Sequence, residues 1–326
     1  MTSMGVHKRW NQKFLLKEIA YRVPEHAGLE PARRAGSIAF NLKYETEVDA
    51  IANGETDDEM PKGITSLSGV CRREMREAEY VIYSSGGGGR SALAHGFRYH
   101  LAELLIRLGC WAARQDKPNP HGCSARELSE ALACTYSLGW TDSADRLADM
   151  AIQMIPAGAL WSTEDWDPRW EKRREPFARF TLALYADFAG ITLPELPPHP
   201  YESPAYDAML ACWRNPDPQT LVEPLLNVCD WHTHECMYSR SDKPSKNVDF
   251  INDTLMGWPV EVHTIYRLRE RLGLALPAEL NHPLMQAPLG PYLAPQPVPH
   301  DDRLERVVRR AYAEVPGLEE VLAGAL

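Results

Sequence analysis

Two histidines, an aspartate, a glutamate and two cysteines crowd into NVCDWHTHECMYSR, residues 227–240. Imidazoles and carboxylates bind metals and move protons, and thiolates attack electrophiles. A metal or acid–base centre is the chemistry such a run suggests. Helical geometry limits it. Residues two apart on a helix point about 200° from each other, so His232 and His234 cannot share one ion there. Metal-binding helices place ligands four apart, as in HExxH, and that motif is absent. Asp230 and His234 do have the four-residue spacing. With a donor from elsewhere, such as His263, they form the alternative metal set of a metal-dependent hydrolase. A strand would put His232 and His234 on one face. Yet Leu225, Leu226, Val228 and Cys229 follow helical spacing, so the stretch is expected to be a helix with a core stripe of Leu221, Leu225, Val228, Cys229, His232, Cys236 and Met237.

Other signatures are missing. SSGGGGRS, 84–91, lacks the GK[S/T] of a phosphate loop and the GxGxxG of a dinucleotide fold, and reads as a hinge. No GxSxG elbow or kinase set occurs. Cys123 precedes a predicted helix and has His121 near it, a thiol context that needs spatial proof. The main expectation is therefore no catalytic residue, no metal and no cofactor.

The elements that position these residues are helical. Leu93, Phe97, Leu101, Leu104, Leu105 and Leu108 share one face. Helices are predicted over 124–137 and 142–155, and the three are expected to run as consecutive antiparallel neighbours. Phe177–Phe188 and segments near 204–214, 217–239, 248–273 and 301–314 continue the pattern, with Asp301 or Asp302 as a cap for the last. Ile38–Ile51 alternates apolar and polar residues, which suits a strand with a helix as rival. Proline-dense stretches fall at 191–204 and 283–299. The expected fold is all-α: an antiparallel multi-helix bundle or irregular α-solenoid, with room for a short β element near the N-terminus. An irregular region over 1–66 precedes helical subdomains at 67–190 and 191–326.

The chain of 326 residues carries a formal charge of −10, which argues against phosphate binding and suits a basic protein partner. Seven cysteines lie scattered without a CxxC, so a reducing compartment is expected. The N-terminus has no signal-like apolar run, and no stretch of about 18 apolar residues exists to span a membrane. A cytoplasmic location follows.

The strings YDAMLACW (206–213), CDWHTHE (229–235), GWPVEVHTIYRLRERLGL (257–274), NHPLM (281–285) and DDRLERVVRRAY (301–312) follow a helix pair at 125–155. This pattern, over roughly 90–315, resembles the helical immunity proteins that bacteria carry beside polymorphic or type VI-secreted toxins. It is similar in particular to those with two tandem helical regions that neutralise nuclease-type toxins. The resemblance implies inhibition without chemistry: an acidic face docks on a basic toxin domain and occludes its active site. Clustered acids and aromatics make Asp142, Asp145, Glu164, Asp165 and Trp166 the expected docking residues. A helical scaffold or adaptor is the further alternative.

Overall fold

A computed structural model describes residues 7–22, 31–56, 63–85, 89–113, 124–157, 160, 175–196, 202–236, 249–250 and 253–325. Among them the secondary structure is helical, apart from a single parallel bridge between Cys236 and Phe250. The helices are α1 (Gln12–Arg22), α2 (Pro31–Asn53), α3 (Ser66–Ser85), α4 (Arg90–Ala113), α5 (Ala125–Leu138), α6 (Thr141–Met154), α7 (Pro176–Ala189), α8 (Pro204–Cys212), α9 (Val222–Glu235), α10 (Val260–Arg271), α11 (Asp302–Glu314) and α12 (Leu318–Val321). The all-α expectation holds. The strand pattern over 38–51 is instead the second half of α2. Tyr44, Val48 and Ile51 recur at helical spacing, and the last two are buried.

The chain folds into two compact units that alternate along the sequence. Unit 1 holds residues 1–22, 125–139 and 161–294; unit 2 holds 23–124, 140–160 and 295–326. Neither 67 nor 191 marks a unit border. Of the expected neighbours α4, α5 and α6, the first and last belong to unit 2 and α5 to unit 1. The reason is visible in α5. Leu128, Ser129, Leu132, Ala133, Thr135 and Tyr136 are all buried, so it is covered nearly all round, between α7 and α10. Single-stripe reasoning gives a helix one neighbour side, and α5 has two.

In unit 2, α4 is central, touching α3, α6, α11 and α12. Its leucine stripe is buried as its spacing predicts. Gly96 lets α3 approach; a Cβ there would stand 2.6 Å from the Glu74 Cβ. Asp301 caps α11, accepting from the Leu304 N–H at 3.0 Å. In unit 1, α8 packs on α7 and α9, α9 on α10, and α1 on the short 3₁₀ turn Asp253–Gly257. No helix among the described residues is long and apolar enough to cross a membrane.

Candidate functional site

Helix α9 ends in the chemically loaded run. Leu225, Val228, Cys229, His232 and Cys236 are buried on its core stripe, as their spacing demands. The histidines part as helical geometry requires. His232 is fully enclosed, whereas His234 is half-buried and donates Nε2–H to the Lys8 carbonyl at 2.8 Å. Around this helix end lies an ionic interior that includes Asp230, Glu235, Asp249, Glu261, His263 and His282, each at most 3 % exposed. Buried charges are costly unless paired, so the protonation of each group can be read from its partners.

His232 faces acceptors with both nitrogens: Nδ1 lies 2.8 Å from Glu261 Oε2 and Nε2 lies 2.7 Å from the Leu255 carbonyl. Only an imidazolium donates twice. Burial alone would favour the neutral ring, but Glu261, then Cys236, outweigh it and hold the His232 pKa well above the usual histidine value. The Tyr206 hydroxyl donates to the other Glu261 oxygen at 3.2 Å, so the carboxylate is served on both sides.

His263 is linked to Trp258 through Ser137. Trp258 Nε1–H donates to Ser137 Oγ at 2.8 Å, Ser137 lies 2.8 Å from His263 Nδ1, and His263 Nε2–H donates to the Gly290 carbonyl at 2.8 Å. Gly290 is required there, since an added Cβ would land on the Leu284 carbonyl oxygen. His282 is neutral. Its Nδ1 accepts from the Leu284 N–H at 3.0 Å, and Nε2–H donates to Asp230 Oδ1 at 2.9 Å. Burial lowers its pKa accordingly.

The charge opposite Asp230 therefore comes from Arg9, whose Nη2 and Nε lie 3.0 and 3.2 Å from Oδ2. Burial raises the Asp230 carboxyl, but His282 and Arg9 outweigh it and hold it below its ordinary value. Asp249 is different. Trp231 Nε1–H donates to Oδ2 at 2.7 Å, while Oδ1 meets no donor among the described residues. Burial, with Glu235 and Glu261 nearby, pushes its carboxyl up to about 7, against the pull of Trp231 and Arg126. The adjacent Phe250 N–H donates to the Glu235 carbonyl at 3.1 Å, tying residues 249–250 to the end of α9.

The three residues of the alternative metal set thus have separate partners: Asp230 has Arg9 and His282, His234 has Lys8, and His263 has Ser137 and Gly290. They are not drawn together as ligands. Among the described residues, a group of three potential ligands with donor atoms within 4.8 Å occurs in unit 2, at His300, Asp302 and Glu305. These are solvent-facing, and the two His300 nitrogens each meet a different carboxylate, at 3.0 Å for Asp302 and 2.7 Å for Glu305.

Of the docking residues, Asp142 is exposed and Asp145 half-buried on α6, with Asp149 one turn further. Glu164, Asp165 and Trp166 lie outside the described residues, as do His121 and Cys123. Sequence reasoning missed Arg9, Asp249, Glu261 and His282 as members of the α9 cluster. Glu261 carries a signal: it stands in GWPVEVH, two residues before His263 and between two valines at the start of α10. Compared with family models, curated proteins and solved structures, the chain matches none of them.

Proposed function

We propose that the chain is an immunity-type binding protein that occludes a basic toxin domain and performs no chemistry itself. The observation that carries this reading is the internal use of the reactive side chains. His232, His263 and His282 each spend both ring nitrogens on neighbours inside unit 1. A histidine that ligates a metal needs a ring nitrogen left for it. Function then falls to the surface, which is acidic overall. Helix α6 supports this: Ala144, Leu147, Ala148, Ala151 and Met154 are buried, and Asp142, Asp145 and Asp149 follow the opposite face at helical spacing. The reading includes a cytoplasmic location, in keeping with the thiols of Cys71, Cys212 and Cys229.

The test is co-expression with a toxin encoded beside the gene. A stable complex and protection of the cells are expected. Absence of both would reject the proposal. Asp142→Lys with Asp145→Lys, and separately Glu164→Lys with Asp165→Lys, should each weaken the complex and flatten its salt dependence.

A further inference from the structure

Residues 7–10, HKRW, lie across the end of α9 in unit 1 and are held there by side chains. Arg9 reaches Asp230 with two nitrogens, His7 Nε2 stands 3.7 Å from Glu235 Oε1, and the Lys8 carbonyl accepts from His234. The His7 ring stacks on His234, with centroids 4.6 Å apart and planes at 8°, and meets Trp231 edge-on at 5.3 Å. Trp10 covers the same His234 ring at 4.8 Å. Among the described residues, no backbone–backbone hydrogen bond joins residues 7–10 to the rest of unit 1. The contacts named are made through side chains and rings, as in a bound peptide.

What lies beneath has a defined appetite. Asp230 is 2 % exposed, its histidine partner is neutral, and Arg9 supplies its positive charge. Lifting Arg9 leaves a carboxylate in the interior without a cation, which is strongly unfavourable until another guanidinium arrives. Glu235 and the rings of Trp231 and His234 extend the surface for a cationic, aromatic neighbour.

We propose that residues 7–10 form a displaceable strap, and that the surface under it docks an arginine-containing aromatic segment of a protein partner. The identity of that partner as a toxin rests on the proposed function; the docking chemistry does not.

The test uses the full-length protein and a labelled peptide copying residues 6–13, VHKRWNQK. The His7 and His234 ring signals should lose their mutual stacking shifts in Arg9→Ala. That variant should bind the peptide about tenfold more tightly than the wild type, since its own strap no longer competes. A peptide with citrulline in place of arginine should lose that gain on the same folded protein, and Asp230→Asn in the Arg9→Ala background should lose it too. No gain in Arg9→Ala, unchanged His7 and His234 ring signals, or equal binding of the citrulline peptide would each overturn the proposal. Peptide binding that persists when no toxin complex forms would reject the immunity reading and leave the docking site in place.

Discussion

The two units each contain a polar network, and they are built from different charges. In unit 1, histidines and carboxylates meet in a sealed interior, and one imidazolium, His232, answers Glu261. In unit 2, arginines meet carboxylates in a half-open seam. Arg73 donates to Glu45 at 2.6 Å, Arg303 also reaches Glu45, and Arg303 donates to the Tyr99 hydroxyl at 2.7 Å. Tyr99 in turn donates to Asp301 at 2.6 Å, and His95 lies 2.9 Å from the same oxygen. Guanidinium stays charged at any working pH, and solvent screens the partly exposed seam. The imidazolium has no such reserve. Its network should be brittle to substitution and responsive to pH, while the arginine seam should yield gradually.

The largest effect is expected from His232→Gln, which leaves Glu261 buried without its cation. A loss of about 3–5 kcal/mol in denaturant unfolding is expected. Arg303→Gln in unit 2 should cost only about 1–2 kcal/mol, because Arg73 still serves Glu45 and the side chain of Arg303 is 22 % exposed. Equal losses would erase the contrast between the networks.

Asp249 gives the pH arm. Its folded pKa of about 7 lies above the ordinary aspartate value of 3.8, so the native state binds more protons between those limits. Its contribution to stability therefore falls as pH rises from about 4 to 7 and stays low beyond. Asp249→Asn should remove that slope and stabilise the protein by about 1–3 kcal/mol at pH 8, with little effect near pH 4. Glu45 in unit 2 behaves in the opposite sense. Burial raises its carboxyl, but Arg303 and Arg73 outweigh this and lower it. Its contribution is present above the ordinary carboxylate pKa and is lost as pH falls through the lowered value. A stability profile of Asp249→Asn parallel to the wild type between pH 4 and 8 would contradict the assignment. The smallest effect belongs to the surface: Asp142→Lys with Asp145→Lys should change stability by less than about 0.5 kcal/mol while weakening a toxin complex.

Much of the fold was legible because helical spacing is a local property. The α4 leucine stripe, the Asp301 cap and the core face of α9 all follow from residues within a few turns of each other. The strand reading of 38–51 failed because the same apolar residues satisfy both periods, and only packing chooses between them. The interleaving of the units was not legible, since α5 is a central helix whose neighbours come from α7 and α10. The site was half legible. Spacing within α9 tells that His232 and His234 diverge, but not what each meets. Arg9 lies 221 residues from Asp230, His282 lies 52 away, and Glu261 lies 29 from His232. Such pairings are set by tertiary contact, and no local period encodes them.

His232 and His282 are internal fasteners, the one held as an imidazolium by Glu261 and the other as a neutral ring by the Leu284 N–H. Long-range proton–nitrogen correlation spectra of the histidine rings in the full-length protein at pH 8 test this most directly. Two protonated nitrogens are expected on His232, and a single Nε2–H on His282. A neutral His232 ring at that pH, or ring signals of His282 that shift on addition of zinc, would contradict this.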